Sequence, residues 1–176
     1  MLLGAPLVLL LAGRTTAGCS GRSRRAPSGL APTQQQQPSL SGDGSKLAVI
    51  ADQRGRPTVQ VRDLKSGQLL QLRHFSRHQP HSSPSLSWNG RYLAAVIQRG
   101  NRRLVLIEDR LTGRAHPLRL PAGRDPVNLS LAPDGRELAV QTAEQGRWQV
   151  EVFNLSELLE SDRPGGRRET TAPEEP

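Results

Sequence analysis

Aromatic residues make up only 3% of this 176-residue chain: two Trp, two Phe and one Tyr. A core with so few rings has to be filled by Leu, Val, Ile and Ala, and Leu and Val at alternating positions suit strands. The single cysteine, Cys19, excludes an intrachain disulfide. No apolar run reaches the roughly 20 residues of a membrane-spanning helix. There is no G-x-S-x-G elbow, no H-E-x-x-H, no Walker A loop and no G-x-G-x-x-G. Those absences remove the hydrolase and nucleotide-binding signatures, and the expectation is a protein that is not an enzyme and carries no cofactor.

Lysine is scarce as well. All but Lys46 and Lys65 of the 24 basic residues are arginine, and the formal net charge is +8. Bases outnumber acids 4 to 0 before Gln37 and 17 to 12 from Pro38 to Glu160, while the rest holds 3 bases and 4 acids. The excess is mild in the middle and densest near the N-terminus. It implies attraction to anionic surfaces in general rather than a nucleic-acid site. The basic turns described below also lack aromatic residues on which bases would stack.

What the chain does have is a repeat. Ser39-Leu40-Ser41-Gly42-Asp43-Gly44-Ser45-Lys46-Leu47-Ala48-Val49 returns as Ser85-Leu86-Ser87-Trp88-Asn89-Gly90-Arg91-Tyr92-Leu93-Ala94-Ala95. It returns again as Ser130-Leu131-Ala132-Pro133-Asp134-Gly135-Arg136-Glu137-Leu138-Ala139-Val140. Gly44, Gly90 and Gly135 are 46 and then 45 residues apart (90 − 44, 135 − 90). Asp43-Gly44, Asn89-Gly90 and Asp134-Gly135 read as structural turns, because both residue types tolerate positive φ. Each is followed by a strand, a turn around Gly55, Gly100 or Gly146, and a strand with period-two alternation such as Thr58–Asp63. Asp63 and Asp109 close those strands and are expected to cap the next turn, before Gly67 and Gly113, through backbone N–H groups. Pro117 marks the following strand as an edge, since it has no N–H to donate. In the third copy the pattern breaks after Phe153, and Ser156 is placed to cap a short helix.

Four short antiparallel strands per ~45 residues is the signature of a β-propeller blade. The segments S-x-D-G-x-x-L-A-V and V-x-V-x-D-L-x-S/T-G resemble the TolB-type (WD40-like, PD40) propeller repeat, best matched by Leu131–Ala139. The resemblance covers about 120 residues and implies an all-β fold: a partial, three-blade β-propeller of four-stranded antiparallel blades. The blades are placed at residues 38–83, 84–127 and 128–160, between a disordered tether (19–37) and a disordered tail (161–176). Closed propellers have four or more blades. Three leave open blade faces, so a protein partner or a homo-oligomer is expected to complete the ring.

The apolar run Leu2–Gly13 is too short to span a membrane but suits a signal-peptide core, with residues 1–18 as the signal. The alternative is an apolar segment packed on the domain. Thr16-Ala17-Gly18-Cys19 resembles the bacterial lipoprotein lipobox, which implies lipidation of Cys19, membrane attachment and a periplasmic location. Arg54, Arg56, Arg99, Arg102, Arg103 and Arg147 recur at the second turn of each repeat, where they would form one positive rim for an anionic partner. His74, His78 and His81 are weak candidates for a metal site, against the plainer expectation of a solvent-exposed inter-blade loop. The resulting expectation is a non-catalytic envelope module for protein–protein contact. The alternatives are an anion-binding module acting through the arginine rim, and an accessory subunit of a separate enzyme.

Overall fold

The structure, a computed structural model, describes residues 34–162. The predicted signal segment, Cys19, most of the tether and the tail from residue 163 lie outside the described residues. Eleven strands follow in order: β1 (Gln35–Leu40), β2 (Lys46–Asp52), β3 (Pro57–Asp63), β4 (Leu69–Leu70), β5 (His81–Leu86), β6 (Tyr92–Arg99), β7 (Arg102–Asp109), β8 (Arg114–Leu118), β9 (Asp125–Leu131), β10 (Glu137–Glu144) and β11 (Arg147–Asn154). They form three antiparallel sheets, β1-β2-β3-β4, β5-β6-β7-β8 and β9-β10-β11, each a meander in chain order. The fold is all-β and resembles three stacked propeller blades, the third without an outer strand among the described residues.

The inner strand of each sheet begins before the repeat boundary read from sequence. β1 starts at Gln35, inside the glutamine run, because its backbone pairs with β2 (Gln35↔Ala51, Gln36↔Ile50) whatever its side chains are. β5 and β9 likewise start at His81 and Asp125. Each inner strand carries a bulge: the register shifts between Gln36 and Ser39, between Ser82 and Ser85, and between Pro126 and Asn128. Gln37 and Ser83 sit in the left-handed region at these bulges, at φ 52° and 50°, a strained setting for residues with a Cβ.

The period of the sequence is also the period of the contacts. Asp43 N–H donates to the Trp88 carbonyl at 2.8 Å, and Trp88 N–H to the Pro133 carbonyl at 2.6 Å. Leu86 N–H donates to Ser39 Oγ at 3.2 Å and Leu131 N–H to Ser85 Oγ at 2.9 Å. The sheets pack face to face. Ala48, Ile50, Val59 and Val61 of the first blade meet Leu93, Ala95, Ile97 and Leu106 of the second. The opposite face of the second blade, Ala94, Val96, Val105 and Ile107, meets Leu129, Leu131, Leu138 and Val140 of the third. Each fully buried Val, Leu or Ile side chain in these two cores contributes about 1.5–3 kcal/mol.

The three Asx-Gly turns are geometrically alike. Gly44, Gly90 and Gly135 have φ of 69°, 71° and 78°, and their N–H groups close the turn onto Ser41, Ser87 and Ala132 carbonyls. After β11 the chain does not form a capped helix. Leu155 to Leu159 make one turn, with Leu158 and Leu159 N–H on the Leu155 carbonyl. Asn154 Oδ1, not Ser156, serves this turn by accepting Ser156 N–H at 2.8 Å. Leu155 and Leu159 are buried in the core between blades two and three. The chain then runs back toward the second blade, and the Asp162 carboxylate accepts from Ser87 Oγ at 2.5 Å and Asn89 N–H at 3.1 Å. Asp162 is therefore buried at a place where a disordered tail was expected.

Candidate functional site

Because every sheet is a meander, the β2–β3, β6–β7 and β10–β11 tips lie at the sheet ends opposite the Asx-Gly turns. The rim arginines occupy these tips, but they do not form one continuous site. Arg54 and Arg56 line a cleft of about 460 Å³ with Gln53, and with Arg77 and His78 of the β4–β5 loop. Arg102 and Arg103 line a second cleft, of about 670 Å³, with Arg119 and Arg124 of the β8–β9 loop and Asp125, which opens β9. Arg99 and Arg147 line neither.

The two clefts differ in charge balance. In the second, Arg103 pairs with Asp125, and Arg124 pairs with Glu151 and, at 3.6 Å, with Glu144. In the first, Arg54, Arg56 and Arg77 are exposed and make no ion pair among the described residues. Arg77 and His78 were not read from sequence as partners of this tip, because the loop that carries them lies outside the repeated motif.

The histidines do not converge, and no group of three metal-ligating side chains exists among the described residues. The His74 ring meets the Gly113 carbonyl at 2.8 Å, and His78 is exposed. His81 is not in an exposed loop: it opens β5 and is 3% exposed. Its Nδ1 accepts Val59 N–H at 3.1 Å, so the neutral ring carries its proton on Nε2, which is buried without a partner among the described residues. The ring meets Phe75 edge to face at 5.3 Å. Burial pushes its pKa down to about 4.

Asp63 Oδ1 accepts from Lys65 and Ser66 N–H, at 3.0 and 2.8 Å. Asp109 Oδ1 accepts from Leu111 and Thr112 N–H, so both carboxylates cap the turn that follows. Asp109 is also gripped by Arg91 through two bonds, at 3.2 and 2.9 Å. Its burial pushes its pKa upward, but the Arg91 guanidinium and those N–H groups outweigh this and hold it below the usual carboxylate range.

A third cleft, of about 560 Å³, follows the inner-strand bulges past Gln37, Ser83 and Asn128. Its polar groups are spent on one another. Gln37 Oε1 accepts Ser83 N–H at 2.6 Å, the Ser83 hydroxyl bonds Asn128 Oδ1, and Leu129 N–H donates to Ser83 Oγ at 2.8 Å.

The open end of the stack is the remaining feature. β3 and β7 are each covered by an outer strand, whereas among the described residues β11 pairs only with β10. Trp148, Val150 and Val152 on β11 are 63%, 67% and 66% exposed. Val150 and Val152 stand 45 residues after Val105 and Ile107, both of which are 0% exposed in the preceding blade. Adding the repeat period to the second blade's core residues would have found this face from sequence.

Stacked antiparallel sheets, joined through their inner strands and packed face to face, define the class: the chain is built from β-propeller blades. Among solved structures it is similar to TolB from Acinetobacter baumannii at 20% identity, over 68% of this chain and 30% of that one, with a TM-score of 0.55. It is similar to a putative TolB from Agrobacterium tumefaciens at 13% identity, over 71% and 46%, with a TM-score of 0.57. The β-propeller domain of the Trilobed protease from Pyrococcus furiosus matches at 14% identity, over 74% and 41%, with a TM-score of 0.53. The chain thus spans less than half the length of each of these, and the likeness is one of fold. Its sequence matches no family model and no curated protein.

Proposed function

We propose that this chain is an exported, lipid-anchored, non-catalytic interaction module whose third blade accepts an extended strand from a partner polypeptide. One observation carries the strand-docking part: the outer edge of β11, unpaired among the described residues, together with its exposed Trp148, Val150 and Val152. In the second blade the same position is filled by β8, which pairs antiparallel with β7 (Val105↔Leu118, Ile107↔His116, Asp109↔Arg114). Shifted by 45 residues, that register lays the incoming strand along Val150, Val152 and Asn154. The occupant is a segment with alternating apolar residues, contributing backbone hydrogen bonds along the edge and side chains on the Trp148 face. Export and lipid attachment rest on the Leu2–Gly13 run and on Cys19.

A peptide of residues 112–120, which contains β8, serves as a surrogate strand in titrations followed by Trp148 emission in a Trp88→Phe background. A blue shift in the parent and none in Val150→Asp/Val152→Asp supports strand docking. Light scattering during size exclusion identifies the case in which a second copy of the chain is the occupant. A monomer whose emission ignores the peptide refutes docking. Palmitate labelling that is lost in Cys19→Ala tests the anchor independently.

A further inference from the structure

The first-blade cleft has a property that strand docking on the third blade does not use. Gln53, Arg54 and Arg56 of the β2–β3 tip face Arg77 and His78 of the β4–β5 loop across about 460 Å³, and among the described residues no carboxylate lines the space. Three guanidiniums drawn around one small volume repel each other unless something negative is placed between them. In the corresponding cleft one blade on, two of the four lining arginines, Arg103 and Arg124, are paired with carboxylates of this chain, Asp125, Glu144 and Glu151. Among the described residues no carboxylate pairs with the arginines of the first cleft, which leaves it a site for an added anion.

The backbone beneath these side chains is fixed rather than slack. Gln53 and Arg56 exchange backbone hydrogen bonds, at 2.8 and 3.3 Å. Asp52, the acid at the base of the tip, spends Oδ1 on Gly55 N–H at 2.7 Å. This bond helps hold the turn in which Arg54 adopts a left-handed φ of 55°. Across the cleft, His78 N–H donates to Ser76 Oγ at 3.2 Å and Gln79 N–H to the Ser76 carbonyl at 3.1 Å, which sets the loop carrying Arg77. Arginine's planar fork of donors matches the oxygens of a phosphoryl group, and the Gln53 amide adds a neutral donor.

We infer that this cleft binds a phosphoryl group, carried either by a free phosphate ester or by a lipid headgroup. The test uses the full chain and two probes: inorganic pyrophosphate followed by titration calorimetry, and phosphatidylglycerol vesicles followed by co-sedimentation. Binding of either probe that weakens with added salt, and weakens about tenfold or more in Arg54→Gln/Arg77→Gln, supports the site. Pyrophosphate binding alone assigns a free ester, and vesicle binding alone assigns a headgroup presented by a surface. The control is Arg99→Gln/Arg147→Gln, which removes two rim arginines outside the cleft and leaves binding unchanged. All four substituted arginines are exposed, so the variants keep the parent's unfolding midpoint. Equal loss in both double variants reduces the effect to general surface charge and overturns the inference, as does failure to bind either probe. Neither result bears on strand docking at β11.

Discussion

Lowering the pH from 7.5 to 5 destabilises this fold through one side chain, His81. The native state keeps the ring neutral, with Nδ1 accepting Val59 N–H and the ring buried against Phe75. Its pKa falls from the ordinary 6.5 to about 4. The unfolded chain therefore takes up the proton first, and stability declines as the pH falls through the interval between 6.5 and 4. A full shift of that size corresponds to about 3 kcal/mol, of which about 2 kcal/mol is already lost at pH 5. Asp43, Asp63 and Asp109 are held below 3.8. As their pKa values are depressed, their contribution is lost only at still lower pH, outside this window. The assay is urea unfolding at half-unit steps from pH 7.5 to 5, comparing wild type with His81→Asn. Asparagine keeps an acceptor near Nδ1 for Val59 N–H and does not titrate. Expected is a gap between the two proteins that changes by about 2 kcal/mol across the series, with wild type losing more. Parallel curves would refute the reasoning, as would an NMR titration of the His81 ring with an ordinary midpoint.

Other outcomes follow from the repeat. Gly135→Ala is expected to cost clearly more than Gly44→Ala by thermal unfolding. Both have positive φ, worth about 1–2 kcal/mol for an added Cβ, but at Gly135 that Cβ meets the Tyr92 ring at 2.9 Å while at Gly44 it meets nothing within 4 Å. Ile107→Ala should cost about 2–5 kcal/mol in urea unfolding, whereas Val152→Ala, at the equivalent but exposed position, should change stability by less than about 0.5 kcal/mol. Asp162→Ala leaves the Ser87 hydroxyl and Asn89 N–H without their acceptor and is expected to cost about 1–3 kcal/mol, read as a lower unfolding midpoint.

The repeated turns and strands were legible because backbone demands were written into residue types. Glycine recurs where φ is positive, and alternating Leu and Val recur where one face is buried. Less legible was anything that depended on a neighbouring strand rather than on local composition. The glutamines of β1 have no strand character of their own and are organised by pairing with β2. His81 sits in a Ser- and Pro-rich stretch, yet its burial is decided by Val59 and Phe75 of other segments. The arginine tips could be counted from sequence, but their charge balance could not. Glu144 and Glu151 reach Arg124 from β10 and β11, outside the loop that carries it.

The second blade shares a core with each of its neighbours, while the first and third each share one with it among the described residues. Stability in such an array is close to a sum over adjacent pairs. Amide protons should therefore exchange most slowly in β6, whose alternate residues enter both cores. The third blade, with three strands and a bare edge at β11 among the described residues, should exchange fastest and open first on heating. The same ranking makes β11 the strand most easily rearranged without disturbing the rest of the fold.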